Sequence, residues 1–194
     1  TNKKNIFPTP VIGGIGLINK LSTPVGHIFK KEKSNILLIG KTFGHLEQSC
    51  FLKENYSIID GMPPEINLLN ERNNGENVLR LIQDNQILSS HDVSNGGLIV
   101  ALSEMSITSN YGVKINKPKK LTNLFKYFFG EDQGRYLLEI DSTNLANVEK
   151  FLKDNSIYYE NIGFTQKNYF EIEDEMKIDI KELYKINNEW YNNY

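Results

Sequence analysis

The chain has 194 residues, 39% of them hydrophobic, a mean hydropathy of −0.43 and a formal charge of −2. That length builds one domain with a good core or two small ones, and so small a charge supplies no broad positive field for nucleic acid. The lone Cys50 excludes a disulfide framework and a cysteine-based zinc site, and no apolar run reaches the ~18 residues of a membrane span. With no signal peptide visible, a cytosolic protein fits best. Because it begins at Thr1 and not at methionine, the chain is expected to be a piece of something longer.

In chain order, "VIGGIGLI" (Val11 to Ile18) is β-prone but broken by glycines, and predicts a strand with a bend or a close backbone contact. "NILLIG" (Asn35 to Gly40) predicts a short buried strand, and "HLEQSCFLKE" (His45 to Glu54) a helix. Consecutive prolines make "GMPPE" a loop. Leu68, Leu69, Val78, Leu79 and Ile82 define a helical face that is expected to break near Asn73 to Gly75. "ILSSHD" reads as a strand, and Gly97 to Ile107 as a helix with Leu98, Ala101, Leu102 and Met105 on one side. Then follow a strand at "YGVKI", a helix over Leu121 to Phe129, a strand at "RYLLEI" and an amphipathic helix over Asn144 to Asn155. Strands at "YYENIGFT" and "YFEIE" and a C-terminal helix from "IKELY" complete the series. The alternation predicts an α+β (α/β) fold over residues 1–194, a mixed sheet with its helices packed on one face. Lysines cluster at Lys30, Lys31 and Lys33 and at Lys117, Lys119 and Lys120, beside turn formers, and read as solvated loops.

The stretch "HDVSNGGLIVALSEM" (His91 to Met105) holds a histidine, an acid, a hydroxyl and two glycines. A hydrolase triad of His91, Asp92 and Ser94 is rejected. Neighbouring side chains on a strand diverge, and no G-x-S-x-G elbow is present. Two readings remain open. Ser94, Gly96 and Gly97 join a strand to a helix whose first N–H groups lack internal partners, a design that suits a phosphate. Alternatively, Ser94 or Asn95 is a plain N-cap and the glycines only turn the chain. "IGKT" lacks the first glycine of a nucleotide P-loop and is rejected. "GGIG" (Gly13, Gly14, Gly16) is weak as a dinucleotide fingerprint but remains open as a bare backbone meeting a ligand. In "FFGEDQGR", Glu131 and Asp132 suggest a magnesium site or, equally, a solvated turn bridged by Arg135. His27 and His45 read as isolated, and Cys50 as a small buried filler.

Taken together, "PTPVIGGIGLI", "LLIGKTFGHLEQSCFL", "GMPPEINLLNERNNGENVLRLI", "HDVSNGGLIVALSEM" and "FFGEDQGRYLLEI" resemble, in this order, the C-terminal portion of the phosphoribosylformylglycinamidine synthase family. The likeness runs from about Pro8 to Gly163. "VSNGG" favours this family over its relatives, a hydrogenase maturation factor and thiamine-monophosphate kinase, which remain the alternatives beside a non-catalytic interaction module docking through "LFKYFF" or the tail with Trp190, Tyr191 and Tyr194. Asn95 and Glu47 depart from the family pattern. The resemblance implies the C-terminal domain of an aminoimidazole ribonucleotide synthetase-like fold, in an ATP-dependent ligase of purine biosynthesis that makes an amidine from formylglycinamide ribonucleotide and glutamine-derived ammonia. It implies that ATP and Mg2+ are held mostly by an upstream portion of the same enzyme, and that a glutaminase subunit and a small bridging subunit are partners. This piece alone is expected to be inactive, with no catalytic or metal-ligating residue. Its expected contribution is to hold the ribonucleotide phosphate on the amides of Gly13, Gly14 and Gly16, with Ser94, Gly96 and Gly97 as the second candidate; His91 and Asp92 would brace the turn.

Overall fold

The computed structural model describes residues 10–17, 25–119 and 123–192. Its elements are β1 (Asn35–Ile39), α1 (Cys50–Tyr56), α2 (Leu68–Gln83), β2 (Ser89–Val93), α3 (Gly97–Ser109), β3 (Tyr111–Ile115) and α4 (Leu124–Phe129). They continue with β4 (Arg135–Ile140), α5 (Leu145–Asp154), β5 (Tyr159–Lys167), β6 (Tyr169–Ile172), β7 (Met176–Asp179) and α6 (Ile180–Asn192). The strands form a mixed sheet in the order β2-β4-β1-β5-β3-β6-β7, in which β3 and β6 run parallel and the other neighbours antiparallel.

The central strand β1 explains the layering. Successive side chains of a strand point to opposite faces. Ile36 and Leu38 enter one core with Leu98, Leu102 and Met105 of α3, Tyr127 and Phe128 of α4, and Leu183 of α6. Leu37 and Ile39 enter a second core with Val78 and Leu81 of α2 and Val148 and Leu152 of α5. A strand covered on both sides must be apolar at every position, which is the physical meaning of the unbroken "ILLI". The expectation of helices on one face is therefore corrected: α3, α4 and α6 lie on one side, and α2 and α5 on the other.

Three local expectations also change. Helix α2 runs unbroken through Asn73–Gly75. The amide nitrogens of its buried asparagines are held: Asn74 Nδ2 donates to Gly134 O at 2.9 Å and Asn77 Nδ2 to Asn73 O at 2.8 Å, while Asn77 Oδ1 has no partner among the described residues. One interior glycine costs a helix only about 1 kcal/mol, which sixteen residues with a packed face absorb. Helix α1 starts at Cys50 and not at His45, because Gln48 is left-handed (φ 55°) and Ser49 caps, its Oγ accepting from Leu52 N at 3.3 Å. The strand expected at Val11–Ile18 is absent over the described part: residues 10–17 form no regular element, and Val11, Ile12, Ile15 and Leu17 stand almost fully exposed. No neighbouring strand within the described residues takes up their backbone. Ile18, Lys120, the helix positions Leu121 and Thr122, and Tyr194 lie outside the described residues, as does the side chain of Tyr191. Strand β7, an edge strand of only four residues, has no counterpart in the sequence reading.

Backbone proximity on the β3 side tests this packing. A Cβ on Gly112 would sit 1.8 Å from Tyr169 O, on a strand that cannot retreat without breaking the ladder. Gly112→Ala is expected to lower stability by about 3 kcal/mol, through overpacking and loss of the β3–β6 pairing, read as a fall in the urea midpoint.

Candidate functional site

The helix α3 begins at a turn that only glycine can make. Gly96 (φ 80°) and Gly97 (φ 74°) are both left-handed. A Cβ on Gly97 would lie 2.7 Å from Gly130 O and 2.8 Å from Phe128 O, so the pair also lets α3 approach the end of α4. Gly97 N donates to Ser94 O at 3.1 Å. The N-cap is Gly96, and no side chain caps it, so neither Ser94 nor Asn95 plays the capping role open to it in the sequence.

Instead, Gly96 N donates to Glu131 Oε1 at 2.8 Å, and the same oxygen accepts from Cys50 N, the first residue of α1, also at 2.8 Å. One carboxylate thus neutralises the starts of two helices, where partial positive charge collects. Burial and the neighbouring Glu131 push the Cys50 thiol up.

Asp132, 4% exposed, receives the next loop. Its Oδ2 accepts from Phe43 N at 3.0 Å and Gly44 N at 2.9 Å, and its Oδ1 from His45 N at 3.1 Å. Arg135, 1% exposed, closes the turn beneath. Nε donates to Asp132 O at 3.1 Å, Nη2 to Gly130 O at 2.6 Å and Nη1 to Thr42 Oγ1 at 3.2 Å; Asp132 Oδ2 lies 3.9 Å from Nη1. Burial pulls this guanidinium's pKa below its ordinary value, and the Asp132 charge opposes the shift. A guanidinium keeps its proton in proteins all the same. Three of the four oxygens of the two adjacent acids already accept main-chain N–H groups, Glu131 Oε2 being the exception, and the described residues hold no cluster of three or more His, Cys, Asp or Glu suited to a metal.

His91 joins the edge strand β2 to α3. Its Nε2 lies 3.1 Å from Glu104 Oε2 and its Nδ1 3.5 Å from Asp92 Oδ1, while its ring meets His27 edge-on at 5.5 Å. His45 is engaged as well, with Nε2 2.9 Å from Met62 O. Gly13, Gly14 and Gly16 lie apart from all this. A Cβ on any of them would meet nothing within 4 Å, and no hydrogen bond among the described residues uses their amides or ties them to the turn at Ser94–Gly97.

Two features escape a reading of the sequence. The first is a polar cleft of about 540 Å³ where β1 ends, bounded by the Gly40–Phe43 loop, the N-terminal half of α2 and Gln133–Gly134. The only available signal is the spacing of Asn67, Asn70, Glu71 and Asn74, which puts them on one side of α2. The second is Glu160, which accepts from Tyr158 Oη at 2.7 Å and Tyr127 Oη at 3.2 Å. Nothing local announces this pairing.

Two predictions follow from these contacts. Glu131→Gln keeps the shape but removes the charge shared by α1 and α3, and is expected to cost about 1–3 kcal/mol by chemical denaturation. Tyr158 is pushed up to about 12 by burial and by its bond to Glu160. A raised folded-state value means the contribution is complete below the unfolded value near ~10 and is lost as pH rises through about 12. Phenolate absorbance should therefore show a late-titrating tyrosine that Glu160→Gln shifts to lower pH.

The family described as AIR synthase related protein, C-terminal domain, matches residues 34–172. Phosphoribosylformylglycinamidine synthase subunit PurL of Pelagibacter ubique (strain HTCC1062) is 44% identical over all 194 residues, and that of Rhodopseudomonas palustris (strain HaA2) 37%. The chain spans 27% and 26% of those proteins, about a quarter of their length. Among solved structures, T. maritima PurL complexed with FGAR superposes with a TM-score of 0.66 at 13% identity, over 82% of this chain and 29% of that one. A HypE–HypF complex gives 0.54 at 14% identity, over 80% and 54%. Identities so low show a shared fold alone. With the family matched from β1 to β6, this chain belongs to the AIR synthase related proteins, as their C-terminal domain.

Proposed function

We propose that this chain is the substrate-binding C-terminal portion of phosphoribosylformylglycinamidine synthase, a carbon–nitrogen ligase of purine biosynthesis that works in the cytoplasm. The observation that carries the reading is 44% identity to a PurL subunit across the whole chain. The fold shared with PurL complexed with FGAR supports it. No helix among the described residues is long and apolar enough to cross a membrane.

In the proposed reaction the glycinamide carbonyl oxygen of the ribonucleotide, next to the ribosyl nitrogen, attacks the terminal phosphorus of ATP and ADP departs. Ammonia then adds to the activated carbon, and phosphate leaves as the amidine forms. Such chemistry depends on holding the reactants in place. ATP and Mg2+ would be held mostly by an upstream portion, since the paired acids of this chain are taken by its own backbone. A glutaminase subunit and a small bridging subunit would supply the ammonia.

This portion would grip the ribonucleotide's phosphate. Gly13, Gly14 and Gly16 suit the task best: their amides carry no bond among the described residues, and no side chain obstructs an anion. The turn at Ser94, Gly96 and Gly97 ranks second, because Gly96 N is shared with Glu131 and Gly97 N with Ser94 O.

The test is reconstitution with the upstream portion, assaying ATP- and ammonia-dependent amidine formation. Activity only in the mixture is the expected result. Gly14→Asp, placed where a side chain has room, should raise KM for the ribonucleotide at least tenfold through charge repulsion and leave kcat nearly unchanged. An unchanged KM would remove the phosphate role from this segment.

A further inference from the structure

The polar cleft at the end of β1 is assigned no part in the reading above, yet its walls hold a set of groups that the chain leaves unengaged. Most buried or half-buried carboxylates here are satisfied by the chain itself: Glu131, Asp132 and Glu139 by main-chain N–H groups, and Glu160 by two phenols. The cleft differs. The half-buried Glu71 carboxylate has no hydrogen bond or ion pair among the described residues, although its carboxyl group lies close beside Gly134. The side-chain amides of Asn70 and Asn73, on the same stretch of α2, also bond to nothing described. Lys41 also lines the cleft; its ammonium pairs with no described carboxylate and lies 5.8 Å from the centroid of the Tyr158 ring. Phe43 stands 74% exposed at the rim.

The lining holds two chemically distinct sets of groups, and the volume lies within the usual range for small-ligand sites, roughly 300–1,000 Å³. One set is a lone cation beside an aromatic ring. The other is a carboxylate and two carboxamides, which accept from and donate to hydroxyl groups. A carboxylate with two free oxygens matches a vicinal diol, each hydroxyl donating to one oxygen. The exposed ring of Phe43 at the rim matches a planar heterocycle.

We propose that this cleft binds a nucleoside 5′-monophosphate. Its phosphate faces Lys41, its ribose diol faces Glu71 with Asn70 and Asn73 alongside, and its base lies on Phe43. A single lysine and an open rim make the affinity modest, in the high-micromolar range. The site is separate from the glycine segment at Gly13–Gly16, so the two stand or fall independently.

The experiment is calorimetric titration of the full chain with AMP, adenosine, ribose 5-phosphate and inorganic phosphate. AMP should saturate one site. Adenosine, ribose 5-phosphate and inorganic phosphate should each bind at least tenfold more weakly. Lys41→Ala and Glu71→Gln, both at positions with solvent access, should each weaken AMP at least fivefold while the far-ultraviolet dichroism is unchanged. Gly14→Asp should leave AMP binding as it was. The proposal is overturned if AMP fails to saturate in the millimolar range. It is equally overturned if inorganic phosphate matches AMP, or if Gly14→Asp weakens AMP and the cleft variants do not.

Discussion

Main-chain N–H groups gathered around buried carboxylates hold the connections of this molecule to its sheet. Glu131 ties the starts of α1 and α3 together, Asp132 takes three consecutive amides of the loop after β1, and Glu139, fully buried, accepts from Lys30 N, Lys31 N and Ser89 Oγ. A hydrogen bond to a charged acceptor contributes about 1.5–3 kcal/mol, and an unmet buried charge costs more. These loops are thus fixed by non-local bonds in place of regular structure. Arg135 completes the system by binding two carbonyls of the turn that presents both acids. The loops, the α3 turn and the walls of the cleft all depend on that six-residue turn keeping its shape.

How much of this the sequence discloses follows from the range of each interaction. Strands β1, β3 and β4 and helices α3 and α5 are legible because an apolar run or a 3.6-residue period is written within a few neighbours. The interruption expected in α2 is absent because Asn74 finds its partner at Gly134, sixty residues on, where no local pattern can indicate it. The one-sided helix layer fails for a related reason. Alternation of Leu37 and Leu38 between two cores looks, in one dimension, like a single hydrophobic stretch.

The glycine pair at Gly96–Gly97 shows the same limit at the site. Its residues predict an N–H offered to an anion, and the structure contains such a contact. The anion there is Glu131, thirty-five residues away and part of the same chain. Composition indicates the donor, and only the tertiary fold supplies the acceptor. Conversely, the cleft draws on Lys41, Glu71 and two asparagines, none of which the sequence reading singles out as a site residue.

The two-sided cover of β1 and β4 does not extend across the sheet. On β3, β6 and β7 one face packs into the core through Val113, Ile115, Phe170 and Ile172. The other face carries Lys114, Glu171 and Lys177, register partners on three successive strands, with Lys–Glu contacts of 3.1 and 3.4 Å. Both lysines hold the Glu171 carboxyl below its usual range. This transverse ionic row stands where the layer of α2 and α5 would otherwise continue, and it makes a bare pleated surface unattractive to another one. Such attraction between exposed charges fades as counter-ions accumulate. The sheet therefore has one part sealed by hydrocarbon on both faces and another whose outer face is held by ion pairs that salt weakens.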